Sequence, residues 1–199
     1  MKPQVVSLTT DMKSDCDNVG EPPALKNRAR ILIFTGDGKG KTTAALGLAL
    51  RAAGHRMRVL VLQFVKGGQQ TGELVAARQI AGVQIEQRGC GFVPAAGSPE
   101  FAIHRQAAEE VLREAADALR AGTHDVVVLD ELCYAVAKNL LSEQRAVEVV
   151  GLAGAGTVLV LTGRGATPGL IAVADTVTEM CVRKHGMQAG IPAQRGVEF

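Results

Sequence analysis

The run Thr35-Gly36-Asp37-Gly38-Lys39-Gly40-Lys41-Thr42-Thr43 packs three glycines and two lysines into nine residues. That composition suits a polyphosphate. Glycines at 36, 38 and 40 permit positive φ and bring successive backbone N–H groups within reach of phosphate oxygens. A helix opening near Thr42 adds the positive end of its dipole, Lys41 adds a point charge, and the Thr42 hydroxyl suits a Mg²⁺ that bridges phosphates. The strict G-x-x-x-x-G-K-[ST] pattern would put its first glycine at Thr35, so this is a variant phosphate loop. The second candidate is Asp130-Glu131, which closes the apolar run Val126-Val127-Val128-Leu129. Carboxylates at the C-terminal end of a buried strand form a Walker B arrangement if that strand lies beside the loop. Asp130 then holds Mg²⁺ through its water shell, and Glu131 is a second metal contact or a base that orients water. The plainer alternatives are a glycine turn and a helix cap.

A phosphate loop requires a strand before it and a helix after it. The chain supplies Ile31–Phe34 as strand and Thr42–Ala53 as helix, and the alternation continues: strand Arg58–Val65, helix Glu73–Ala81 and a weaker strand Val83–Gln87. Ser98, Pro99 and Glu100 open a long helix that Gly122 ends, and Ser142 opens another running to about Ala153. Strands Val126–Leu129, Thr157–Leu161 and Thr176–Cys181, with a short helix near Pro168–Ala174, complete the pattern. Runs such as VVVL and VLVL lack in/out alternation, as strands covered on both faces do. The expectation is one three-layer α/β domain over residues 30–199 with a mostly parallel central sheet, preceded by a polar, mobile arm over residues 1–29.

Composition bounds the rest. With 22 basic and 20 acidic residues among 199, the net charge is +2, too small for a field that draws nucleic acid or a membrane to the whole molecule. No Trp and one Tyr leave few stacking platforms for single strands. Cys16, Cys90, Cys133 and Cys181 are scattered without zinc-like spacing, which predicts reduced thiols. The acidic N-terminus has no apolar stretch for a leader, and Val147–Leu161 falls short of the ~18–20 residues a bilayer needs. A cytoplasmic protein is expected.

Phosphate loop and carboxylates imply only nucleotide and Mg²⁺; other stretches narrow the chemistry. These are Gln63-Phe64-Val65-Lys66-Gly67 with Thr71-Gly72-Glu73, Gly89-Cys90-Gly91-Phe92, Leu161-Thr162-Gly163-Arg164, Ala174-Asp175-Thr176-Val177-Thr178-Glu179-Met180, Lys184-His185, and Gln194-Arg195-Gly196-Val197-Glu198-Phe199. In their order and spacing, from about residue 30 onward, they resemble the corrinoid adenosyltransferases of the ATP:cob(I)alamin and cob(I)yrinic acid a,c-diamide type. The resemblance implies a RecA-like P-loop fold and transfer of the 5′-deoxyadenosyl group of ATP to Co(I) of a reduced corrinoid, with triphosphate leaving. It implies Mg²⁺ or Mn²⁺, a homodimer, and a reduced flavoprotein as electron donor. The nucleophile belongs to the cobalt, which suits a sequence with no recognisable triad.

Carried onto this chain, the resemblance puts the triphosphate on Gly36, Asp37, Gly38, Lys39, Gly40, Lys41, Thr42 and Thr43, with Arg51 reaching phosphate from the following helix. Thr42, Asp130 and Glu131 serve the metal, Lys41 and Glu131 the chemistry, and Phe92, Lys66 and Arg164 the corrinoid. The family commonly follows the Phe with Thr-Trp; Val93 and Pro94 stand there instead. Two other readings stay open at this point: a P-loop ATPase or kinase that transfers phosphate, and a non-catalytic ATP-gated corrinoid carrier.

Overall fold

In the computed structural model, described over residues 28–68 and 70–198, six strands form one all-parallel sheet in the order β3-β2-β4-β5-β1-β6. The strands are β1 (Arg30–Thr35), β2 (Val59–Gln63), β3 (Val83–Gln87), β4 (Val126–Asp130), β5 (Val158–Thr162) and β6 (Thr176–Glu179). Between them run α1 (Lys41–Gly54), α2 (Gly72–Ala77), α3 (Pro99–Ala121), α4 (Leu132–Ala137), α5 (Glu143–Val150) and α6 (Pro168–Val173). The arm expected over 1–29 lies outside the described residues except for its last two positions, and so does Cys16.

The central strands carry their two faces in their letters. On β2 and β5 the leucines at 60, 62, 159 and 161 join one buried cluster, with Val127 and Leu129 of β4, beneath α3, α4, α5 and α6. The valines at 59, 61, 126, 128 and 160 join a second cluster on the opposite face, against Ala45, Ala49 and Ala52 of α1. Both faces are therefore dry, which is why no polar alternation appears. Small alanines facing valines let α1 lie close on the sheet, so its N-terminal turn meets the C-terminal strand ends where ligands bind in such sheets. Ser142 caps α5, its Oγ accepting from Arg145 N at 3.3 Å, and Gly122 (φ 60) ends α3.

Several boundaries differ from expectation. Strand β2 stops at Gln63, because residues 64–68 turn over the sheet edge to meet residues 88–91. Helix α2 ends at Ala77 rather than Ala81, α5 at Val150 rather than Ala153, and β6 at Glu179 rather than Cys181. Helix α4 had no sequence signal: Leu132, Cys133, Ala135 and Val136 are all buried, so its period has no polar face to betray it. The acidic strand β4 is also not the immediate neighbour of β1, because β5 lies between them.

Candidate active site

Loop 36–40 joins β1 to α1 and folds around the peptide that follows β6, the edge strand next to β1. Gly38 N donates to Met180 O at 2.6 Å, just beyond the end of β6. Gly36 adopts φ +89, and a Cβ there would come within 2.5 Å of that same carbonyl oxygen. Gly40 (φ 113) then turns the chain into α1, whose first turn carries Lys41 and Thr42. Lys41 is buried, and its Nζ donates to Gly36 O at 2.8 Å and Gly38 O at 2.7 Å, drawing the loop into a ring. Burial pulls the Lys41 pKa below the ordinary lysine value, with the charge of Glu131 opposing that shift.

Although β5 separates β4 from β1, the carboxylate at the end of β4 still reaches the loop. Asp130, fully buried, accepts from Thr42 Oγ1 (2.8 Å) and from Thr162 Oγ1 of β5 (2.7 Å) on Oδ1, and from Gln63 Nε2 of β2 (2.9 Å) on Oδ2. Thr162 Oγ1 in turn accepts from Glu131 N at 2.9 Å. A positive φ of 65 at Glu131 turns the chain sharply from β4 into α4, and Glu131 lines the cavity at the loop. Burial, then the neighbouring Asp130 charge, raises the Glu131 pKa above the usual carboxylate range. The adjacent Cys133 thiol is pushed up to about 12 by burial and by Glu131, so it offers no thiolate.

A cavity of about 410 Å³ opens over this ring, within the range typical of ligand sites. Lys39, Gly40, Lys41, Thr42 and Thr43 form its floor, and Lys66, Glu73 and Glu131 stand on its walls. The sequence expectation puts Lys66 with the corrinoid; the structure puts it on this wall, where its Nζ meets Glu73 Oε1 at 2.7 Å. Burial, the largest single influence, would raise the Glu73 pKa, but the hydrogen bonds from Lys66, its own backbone and Thr71, together with the Lys66 charge, outweigh it and the net shift is downward.

The rest of the wall comes from the chain's last turn. Gly196, Val197 and Glu198 line the cavity, and Lys39 Nζ reaches Val197 O (3.1 Å) and Glu198 Oε1 (3.3 Å). Sequence reasoning gave this segment no role, although the motif from Gln194 onward was visible.

Other candidates lie apart from the cavity floor. Arg164, on the loop after β5, faces Asp37 at 3.8 Å, and both side chains are largely exposed. Arg51 sits exposed in the last turn of α1, ten residues and roughly 15 Å along the axis from Lys41. There it complements the helix dipole and does not line the cavity. Phe92 is 90% exposed on the loop after β3. That loop is stitched to the end of β2 by Gly89 N to Lys66 O (3.0 Å) and Gly91 N to Val65 O (2.8 Å). The approach requires glycines, since a Cβ at Gly67 would overlap Gly89 O and one at Gly89 would overlap the Val65 carbonyl.

Among the described residues no cluster of three or more His, Cys, Asp or Glu could hold a metal ion alone, and no helix is long and apolar enough to cross a membrane. A KaiC-like protein of the archaeon Pyrococcus horikoshii shares the fold, with a TM-score of 0.51 at 18% identity over 79% of this chain and 74% of that one. A family profile described as ATP:corrinoid adenosyltransferase BtuR/CobO/CobP matches residues 27–199. A corrinoid adenosyltransferase of Pseudomonas aeruginosa is 41% identical over 177 residues, covering 88% of this chain and 86% of that protein. One from Escherichia coli K12 is 37% identical over 176 residues, 88% of each chain. The phosphate ring, the buried carboxylate behind it and matches over nearly the whole described chain agree, and the chain belongs to the ATP:corrinoid adenosyltransferase family.

Proposed function

We propose that loop 36–43 grips the whole triphosphate of ATP as a leaving group while the cobalt of a reduced corrinoid attacks the 5′ carbon. The overall reaction, adenosyl transfer from ATP to a corrinoid, follows from family membership, which does not favour phosphoryl transfer or a non-catalytic carrier. The observation that carries the residue roles is Lys41, an ammonium buried at the cavity floor and satisfied only by loop carbonyls among its hydrogen-bond partners. An arriving phosphate replaces those neutral acceptors with anionic ones, and such contacts are the stronger. The backbone N–H groups of 39–43 and Lys39 extend the grip along the chain of phosphates.

The bookkeeping of the step is simple. Co(I) donates its electron pair to C5′, the C5′–O bond breaks, and that bonding pair leaves with the triphosphate as cobalt becomes formally Co(III). Charge grows on the leaving oxygen, so donors fixed around the triphosphate stabilise the transition state more than the ground state. No protein nucleophile takes part. Phe92 offers an aromatic face and Arg164 a charge to the corrin, while Lys66 stands on the wall of the phosphate cavity.

A divalent ion fits the residues present. The Thr42 proton goes to Asp130, which leaves the oxygen lone pairs of Thr42 free toward the cavity, and Glu131 stands at the same wall. These are too few ligands for a protein-only cage and suit Mg²⁺ or Mn²⁺ held mainly by phosphate oxygens and water. Bound there, the ion supplies charge neutralisation for the departing triphosphate. The resemblance further supports a cytoplasmic homodimer fed by a reduced flavoprotein.

The test is an anaerobic assay with ATP, Mg²⁺ and chemically reduced corrinoid, following the cobalt–carbon product by absorption and the cleaved nucleotide by chromatography. Stoichiometric triphosphate is expected. ADP with phosphate would refute the proposal.

A further inference from the structure

Gln63 is the one polar residue of β2, and it is fully buried among Val59, Leu60, Val61 and Leu62. An apolar side chain would suit that strand end better, for the amide leaves its Oε1 buried with no hydrogen-bond partner. Its Nε2 explains the exception. It donates to Asp130 Oδ2 at 2.9 Å, and because an ionised carboxylate only accepts, the amide cannot turn over without setting oxygen against oxygen.

Held on Oδ2 from β2 and on Oδ1 by Thr162 from β5, the Asp130 carboxyl has no freedom to rotate. Its Oδ1 is thereby aimed at Thr42, 2.8 Å away on α1. The direction of that hydroxyl decides what Thr42 can do. With its proton committed to Asp130, Thr42 faces the cavity as a pure acceptor. Three elements thus converge through one carboxylate on one threonine oxygen.

We propose that Gln63 is a positioning residue for the cation that accompanies ATP, acting through Asp130 to present the Thr42 oxygen as a ligand. The inference rests on the proposed reading of Thr42 as a cation contact. It assigns Gln63 no contact with nucleotide, corrinoid or metal. Removing the amide frees Oδ2, lets the carboxyl rotate, and releases the Thr42 rotor. Losing an outer partner of this kind typically lowers metal affinity about tenfold or more.

The experiment titrates the full chain with ATP by calorimetry, once in EDTA and once in saturating Mg²⁺, for wild type, Gln63→Met and Thr162→Val. Met keeps the volume of Gln without its donor, and Thr162→Val removes the other clamp should Gln63→Met fail to fold. In both variants the tightening of ATP binding by Mg²⁺ is expected to shrink about tenfold. The dissociation constant in EDTA is expected to stay within about twofold of wild type, which a merely structural loss would not achieve. Equal weakening in both media, or a Mg²⁺ effect of wild-type size in folded Gln63→Met, would overturn the role of Gln63 alone; should that variant not fold, the same results in Thr162→Val would overturn the clamp. Wild-type protein that binds ATP equally well in both media would overturn the cation reading beneath it, and this inference too.

Discussion

Replacing Lys41 by Met probes the phosphate grip with little change in side-chain volume. In the structure the ammonium spends its donors on Gly36 O and Gly38 O, at 2.8 and 2.7 Å, in a nearly closed position. A hydrogen bond involving a charged group contributes about 1.5–3 kcal/mol, but Lys41 gives up its carbonyl contacts when phosphate arrives. The net loss in the variant therefore lies toward the lower end, about 1.5–2.2 kcal/mol, or roughly 10- to 40-fold in ATP affinity. Calorimetry with three ligands separates causes. Mg·ATP and inorganic tripolyphosphate are expected to weaken by the same factor, while adenosine is unchanged, because Lys41 meets only the phosphate end. A loss shared equally by adenosine, or an ATP affinity within about twofold of wild type, would refute the assignment.

Three further outcomes follow from the same geometry. Burial raises the Glu131 pKa, so the folded state holds that proton more tightly than the unfolded chain; this stability is fully present below the unfolded pKa and lost as pH rises through the folded one. Glu131→Gln, which imitates the protonated form, is expected to raise Tm near about pH 8 and to lose that advantage toward about pH 4, by thermal melts across the range. Phe92→Ala is expected to leave stability within about 0.5 kcal/mol, since the ring is 90% exposed, while weakening corrinoid binding measured by quenching or absorption. Lys39 holds the last turn through Val197 and Glu198, so tripolyphosphate is expected to speed hydrogen exchange at 196–198, whereas in Lys39→Ala those amides exchange fast from the start.

What could be read in the letters was local. Loop 36–43 announces itself because glycines, lysine and threonine must follow one another directly, and Asp130-Glu131 because a buried strand must end where its carboxylates begin. The Leu and Val faces of β2 and β5 gave the sheet for the same reason. What stayed hidden depends on pairs far apart in sequence. Gln63 meets Asp130 across 67 positions, and Lys39 meets Val197 across 158. No period or motif records either approach. Helix α4 was invisible because its six residues, LCYAVA, include no charged residue to mark a polar face, and the insertion of β5 between β1 and β4 is a matter of topology that strand letters do not encode. Charge type alone also does not give position: the fold sets Lys66 against Glu73 on the cavity wall and Arg51 in the last turn of α1.

The most direct measurement is a crystal structure of the full chain with Mg·ATP. All three phosphates are expected within hydrogen-bond distance of the 39–43 amides, with Lys41 Nζ turned from Gly36 O and Gly38 O onto phosphate oxygen and C5′ open toward the Phe92 side. A triphosphate lying outside loop 36–43, with Lys41 still bound to its two carbonyls, would contradict the proposed grip.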